Sequence, residues 1–422
     1  MANRRIFIKS GALAVFGFSF GGVPAFIARA ASDFKLSLPY KKNRILICIF
    51  QRGAMDGLMA VSPFTDPFLQ AARPSIFISA AKNIKKSPLI DLDGRFGLHP
   101  SMNSFEQLFR NKQMAIVHGI GSPNNTRSHF DAQDYMETGT PFEKGTASGW
   151  LNRAIGLMGH DATPFRAVSL TPSMPRSFYG LNSAIAINSL QDFALTNKRS
   201  MPGTNVAAKS FEDLYDETTS GLFKATGKET FEAVNMLSKI DVKKYQPANG
   251  ALYPNTGLGN SLKQIAQLIK VDVGLEIGFA ESTGWDTHFN QGTDKGNFAK
   301  AATDLTDSIA AFWSDLGEAL HDDVTIMTMT EFGRTVKQNG TGGTDHGRAS
   351  CNFILGNNVN GGKVYGDIKT LAIENLEDKR DLPVTTDFRA VFSEVADKHL
   401  HLKNDTLLFP GWDGKHLDLL KG

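Results

Sequence analysis

The side chains best suited to chemistry cluster in two stretches. Gly284-Trp285-Asp286-Thr287-His288 places a carboxylate and an imidazole two residues apart. Glu331-Phe332-Gly333-Arg334 is followed, after a glycine-rich stretch, by Gly343-Thr344-Asp345-His346-Gly347. Hard oxygen donors and borderline nitrogen donors on glycine-rich loops are the ingredients of a divalent metal site. On an extended segment, residues two apart project to the same side, so Asp286 and His288 could bind one ion. Asp345 and His346 are adjacent and project to opposite sides. They could serve two ions, or one ion and the groups that orient its ligands. Glu331 ends an apolar run, where an uncompensated acid is costly, and so calls for a cationic partner, either Arg334 or a metal.

Two further segments offer reactive groups. Asp56 ends the stretch Gln51-Arg52-Gly53-Ala54-Met55-Asp56, where it reads either as a functional acid after a strand or as an ordinary Asp-Gly turn. Ser128 begins a predicted helix, and with Asp131 three residues on it has the pattern of a capping box. A helix N-terminus also favours an incoming anion, so the same position can serve a nucleophile. Arg127 beside it could clamp a developing oxyanion or simply be an exposed cation. His129 reads as a packing or orienting group rather than a ligand.

Strands and helices alternating along the chain must position these groups. Arg44 to Phe50 is a continuous apolar run, the pattern of a strand covered on both faces. Met114 to Ile120, Arg166 to Leu170, Val271 to Phe279, Val324 to Thr330 and Cys351 to Leu355 read as further strands. Helices are predicted from Ser128, from about Phe211 to Ile240, and over Gly257 to Ile269, Phe298 to Ala319 and Asp387 to His399. This alternation indicates an α/β sandwich with a mainly parallel sheet. Such a sheet brings Asp56, Ser128, Asp286, His288, Glu331 and His346 to its carboxyl edge. Cys48 and Cys351 are too few for a disulfide framework and are expected as buried thiols or one non-catalytic bridge.

Asn3-Arg4-Arg5-Ile6-Phe7-Ile8-Lys9, an uncharged apolar run from Gly11 to Ile27, and Ala28-Arg29-Ala30 describe a twin-arginine export signal over residues 1–30. An uncleaved anchor is the alternative, since ~17 apolar residues is near the lower limit for crossing a bilayer. The glycines and the Ala-x-Ala end favour removal, giving a periplasmic or secreted product. That route carries folded proteins, so a metal can be inserted before export. The signal holds Arg4, Arg5, Lys9 and Arg29 and no acid, so of 45 basic and 43 acidic residues the remainder is slightly acidic. It lacks the one-sided basic surface that nucleic-acid binding needs. No later segment is long and apolar enough to cross a membrane, and no protein partner can be read from the sequence.

Together, Arg52 to Leu58, Gly97-Leu98-His99-Pro100, Arg127 to Asp134, Gly284 to His288, Glu331 to Arg334 and Gly343 to Gly347 resemble the bacterial exported family catalogued as domain of unknown function 1501. The resemblance covers essentially the whole chain after the signal, and the family is similar to the alkaline phosphatase superfamily. It implies one alkaline phosphatase-like domain with insertions over residues 31–422, a three-layer α/β/α sandwich with a mainly parallel sheet. It also implies a divalent metal centre of one or two ions (Zn, Mn, Mg or Ca) and a serine or threonine nucleophile. Asp56 resembles the acid after the first strand, Ser128 the nucleophile, and Asp286 with His288 the pair of one metal site, with one intervening residue in place of three. Two alignments stand for the rest. Asp345-His346 resembles the Asp–His pair ending a core strand; or Glu331 takes that acid's place, Phe332 replaces the histidine, and His346 is the last histidine. The strand directly before Glu331 favours the second, which leaves a second metal site without a nitrogen ligand.

The expected metal ligands are thus Asp56, Asp286, His288, Glu331, Asp345 and His346, with Ser128, Arg127 and Arg334 as catalytic groups. They point to an exported metal-dependent hydrolase of small anionic phosphate or sulfate esters. A formylglycine sulfatase is disfavoured, because neither cysteine begins a Cys-x-Pro-x-Arg sequence. The alternative is a non-catalytic periplasmic binding or scaffold protein on a degenerate hydrolase fold. Changing Arg4 and Arg5 together to lysine is expected to strand the protein in the cytoplasm, because paired guanidinium groups are what the folded-protein pathway reads. Normal periplasmic yield of that double variant, measured by cell fractionation, would remove the export reading.

Overall fold

The computed structural model describes residues 44–81, 87–160, 162–190 and 244–421. The export signal of residues 1–30 and the helix expected from about Phe211 to Ile240 lie outside the described residues. Within them, nine strands form one sheet. These are β1 (Ile45–Gln51), β2 (Met114–Gly121), β3 (Ala167–Ser169), β4 (Ile185–Ala186), β5 (Ile277–Ser282), β6 (Val324–Met329), β7 (Ser350–Leu355), β8 (Lys363–Tyr365) and β9 (Thr386–Asp387). Their order is β8-β2-β7-β6-β1-β5-β3-β4, with β9 also pairing with β2. All neighbours run parallel except β7, which is antiparallel to β2 and β6. The main helices are α1 (Gly57–Ala60), α2 (His129–Thr138), α3 (Trp150–Leu157), α4 (Gly257–Lys270), α5 (Asn297–Leu316) and α6 (Phe388–Lys398).

The period of two in β1 builds two cores. Ile45, Ile47 and Ile49 pack with Leu262 and Ile265 of α4 and with Leu305, Ile309 and Phe312 of α5. Leu46, Cys48 and Phe50 face the other way, onto Trp150 and Leu151 of α3 and Val391, Phe392 and Val395 of α6. The sheet therefore lies between two helical layers, a three-layer α/β/α sandwich. Burying one such large apolar side chain contributes about 1.5–3 kcal/mol. A one-residue register slip would exchange the faces of the whole strand, so the alignment is tightly specified.

The register also fixes where the functional loops emerge. Phe50 of β1 pairs with Met329 of β6, and Gln51 pairs with Ser282 of β5, so three parallel strands end side by side. β7 runs the other way and begins at this edge, where Ser350 pairs with Ile120 of β2. The chain before β7 and the chains after β1, β2, β5 and β6 are thus neighbours.

Two expectations are corrected by the backbone, and one open alternative is decided. The strand expected from Val271 begins only at Ile277, because Asp272 and Gly274 take left-handed conformations with φ of 53° and 80°. The helix expected to reach Ala319 stops at Leu316, where Gly317 adopts φ 74°. Cys48 and Cys351 are both free and buried. They sit on β1 and β7 with β6 between them. Two strand spacings, about 9–10 Å, exceed the ~7 Å that a disulfide can bridge. Burial also pushes both thiols well above their ordinary pKa. The folded protein is expected to be silent to a thiol reagent and to release two thiols on unfolding without reductant; release of none would show that they pair.

Candidate metal centre

Four loops at this edge carry the polar cluster. His129 opens α2, the helix that follows β2. Asp286 and His288 lie in the loop after β5, and Glu331 and Arg334 in the loop after β6. Asp345 and His346 lie in the segment leading to β7, where His346 bridges to Arg334 in an isolated antiparallel pair.

Two imidazoles, those of His129 and His288, turn their Nε2 atoms toward that of His346. His346 Nε2 is 3.0 Å from that of His129 and 2.8 Å from that of His288. Asp286 Oδ1 lies 3.1 Å from His288 Nε2 and 3.7 Å from the Nε2 atoms of His129 and His346. Each opposite nitrogen already has an acceptor. His129 Nδ1 faces Glu331 Oε1 at 2.7 Å, His288 Nδ1 faces Asp345 Oδ1 at 3.0 Å, and His346 Nδ1 faces the Arg127 carbonyl at 2.8 Å. A carboxylate and a carbonyl only accept, so these contacts assign the ring proton to Nδ1 in all three. Neutral rings then hold three Nε2 lone pairs face to face. One proton relieves one such contact, whereas a divalent cation relieves all of them. His129, Asp286 and His346 each offer one donor atom, all within 4.8 Å of one another, and His288 Nε2 adjoins them through His346 and Asp286. The donor set therefore fits a cation, and its open side is marked by Asp286 and His288, 51% and 38% exposed.

Buried charges stabilise the arrangement. Arg334 donates through Nη2 to Asp286 Oδ1 at 2.5 Å and through Nε to the Ala54 carbonyl at 2.8 Å, and it also reaches the carbonyls of Thr344 and Trp285. Burial acts to raise the Asp286 carboxyl, but Arg334 and the nearby imidazoles outweigh it and hold it below its ordinary range. Glu331 is wholly buried. Burial works against its ionised form, and hydrogen bonds from His129, Gln133 and Gly53 N–H reverse the balance, so its pKa is lowered. Burial, with the neighbouring cations, lowers the pKa of His346 and keeps the ring available as a neutral donor. Gly53, at φ 112°, passes so close that a Cβ would collide with the Asp286 amide.

The residues expected from sequence divide accordingly. Asp286, His288 and His346 meet in the cluster. Glu331 and Asp345 stand one step behind, as acceptors for the Nδ1 groups of His129 and His288. Asp56 is away from the cluster: it caps α1 and is bonded by Arg73 at 2.8 Å and 3.1 Å and by Gln291 at 2.7 Å, which leaves no place for a cation. Arg127 supplies its carbonyl, while its guanidinium pairs with Asp378 and Asp381. Arg334 orients Asp286. Ser128 is exposed at the N-cap position of α2 and makes no cap hydrogen bond, and Asp131 pairs with Lys144. His129 was not expected as a ligand. The available signal was its spacing from Gln133, one helical turn on, since both reach Glu331. The buried His99, His118 and His399 bond main-chain carbonyls, and burial pushes each down to about 4.

The family model "Protein of unknown function (DUF1501)" matches residues 43–408, and the chain belongs to that family. No curated protein matches it. Similar solved structures include the C-terminal periplasmic domain of EcEptC from Escherichia coli in complex with Zn, at 9% identity over 74% of this chain and 72% of that one, with a TM-score of 0.37. Ps i-CgsB in complex with k-i-k-neocarrahexaose is 11% identical over 90% of this chain and 76% of that one, with a TM-score of 0.38. Alkaline phosphatase from the Antarctic bacterium TAB5 is 12% identical over 75% of this chain and 91% of that one, with a TM-score of 0.28.

If the cluster takes a cation, His129 is placed to hold it as directly as His346. His129→Ala and His346→Ala are each expected to weaken metal binding by more than the roughly 10–100-fold that loss of a ligand's hydrogen-bond partner costs. Ser128→Ala should leave metal content intact and change stability by less than about 0.5 kcal/mol. Full metal content in purified His129→Ala would remove His129 from the ligand set.

Proposed function

We propose that this DUF1501 family member is an exported, metal-dependent hydrolase of phosphate or sulfate esters, built on one divalent cation held by His129, His288, His346 and Asp286. The observation that carries the reading is the inward turn of three Nε2 atoms whose opposite nitrogens are all bonded to acceptors. Three imidazoles and one carboxylate suit zinc and similar borderline cations better than magnesium or calcium, which prefer oxygen donors. Among the described residues, the pairing of Asp56 with Arg73 leaves that acid out of any second ion site.

A bound divalent cation supplies Lewis acidity toward the ester and activates water near neutral pH. The chain's own residues have separate tasks. Glu331, Asp345 and the Arg127 carbonyl hold the ring tautomers, and Arg334 keeps Asp286 ionised and aimed. Ser128, at the N-terminus of α2 directly before His129, is the serine available as a nucleophile, since a helix start favours an approaching anion. Phe130 and Phe289 each follow a ligand histidine and are 90% and 62% exposed, which favours esters with an apolar organic part. The unpartnered Ser128 hydroxyl and the metal-free Asp56 are what a binding or scaffold protein on the same fold would also show.

Metal-replete protein from the exporting cell, assayed against aryl and alkyl phosphate and sulfate esters, tests the proposal. Turnover is expected and should vanish in His346→Ala. Loss in Ser128→Ala with metal retained would assign the serine as nucleophile, and retained turnover would assign water. Wild-type protein that holds metal but hydrolyses no ester transfers the function to the binding reading.

A further inference from the structure

We infer that the buried amide of Gln291 sets the spacing of the two ligand-bearing loops, and that metal affinity depends on this residue although it touches no ligand. The inference rests on the metal-centre reading above. Gln291 is fully buried, and its Nε2 donates to Asp56 Oδ2 at 2.7 Å. A carboxylate paired with arginine only accepts, so the amide has one orientation and its oxygen must face the other way. There Oε1 accepts from the Thr287 hydroxyl at 3.0 Å and the Thr344 hydroxyl at 2.8 Å. Thr287 lies between Asp286 and His288, and Thr344 lies two residues before His346. One oxygen atom is thus shared by the loops that carry three of the four donors.

Other bonds converge on the same node. Thr344 N–H donates to the Thr287 carbonyl at 3.2 Å, and Gln291 N–H to the Gly342 carbonyl at 3.0 Å. Gly343 completes the approach, because a Cβ there would collide with the carbonyls of Thr287 and His288. On the far side, Arg73 holds Asp56 and donates to the carbonyls of Thr335 and Val336 at 2.8 Å and 2.9 Å. These two residues follow Arg334, which holds Asp286. The network therefore starts and ends on groups that locate the donors, and each polar atom of the Gln291 side chain is used. Partners one step behind a metal ligand characteristically control affinity by fixing ligand orientation. Gln291 extends that control one step further, from side chains to the loops themselves.

Cobalt(II) provides a readout independent of turnover. The variant Thr287→Val with Thr344→Val keeps the side-chain shapes and removes both hydroxyl donors, and Gln291→Met removes the amide. Both are expected to bind Co(II) roughly 10–100-fold more weakly than wild type, with a shifted visible absorption band. A role confined to folding would lower the melting temperature and leave the band and the affinity of the folded protein unchanged, which overturns the inference. If Gln291→Met does not fold, the threonine double variant decides the matter. A wild-type protein without any Co(II) band overturns the metal-centre reading itself, an outcome distinct from wild-type binding that the variants do not alter.

Discussion

The His346 ring nitrogen can stand about 3 Å from those of His129 and His288, lone pair to lone pair, only if the surroundings prevent the rings from turning away. Everything around the cluster serves that constraint. Two carboxylates and a main-chain carbonyl fix the proton on the far nitrogen of each ring. Phe332 packs against the rings of His129 and His346, closing off rotation. Such an arrangement is unfavourable by itself and would become favourable with a divalent cation, which is what the proposed metal centre rests on.

The cost of holding this arrangement is spread through buried charged groups. Arg334, Arg73, Asp56 and Glu331 are all nearly or wholly buried, and each is bonded to more than one loop. Among the described residues, the one pair buried on both sides, Arg73 with Asp56, adds little net stability, because desolvation offsets most of the attraction, but breaking one side is severe. The value of these groups here is positional. They tie loops after β1, β5 and β6 to the segment before β7, so that sheet register is transmitted to the donor atoms. The close passages at Gly53 and Gly343, where a side chain would collide with the neighbouring loop, make that tie short.

Much of the framework was legible in the sequence. β1 is a nearly continuous apolar run because both of its faces are covered, β6 and β7 are buried strands interrupted only by Thr325, Thr328, Ser350 and Asn352, and Asp286, His288 and His346 stood out as candidate donors on glycine-rich loops. The division of labour within the site was not legible. Glu331 could be read as needing a cationic partner, but whether that partner is a metal, an arginine or an imidazole depends on a contact 202 residues away in the chain. Asp56 was misassigned because Arg73, which occupies its carboxylate, lies in a short helix cap with no periodic signal. His129 was passed over because a histidine beside a serine at a helix start looks the same whether it caps, packs or ligates. Its role follows only from where α2 points once β2 and β7 have paired.

X-ray absorption spectroscopy at the edge of the resident metal, on protein folded in the exporting cell, tests the central claim most directly. The donor set predicts nitrogen and oxygen neighbours at about 2.0–2.1 Å, with the outer-shell scattering of about three imidazoles and no sulfur. A metal surrounded by oxygen alone, or protein that carries no metal, would contradict it.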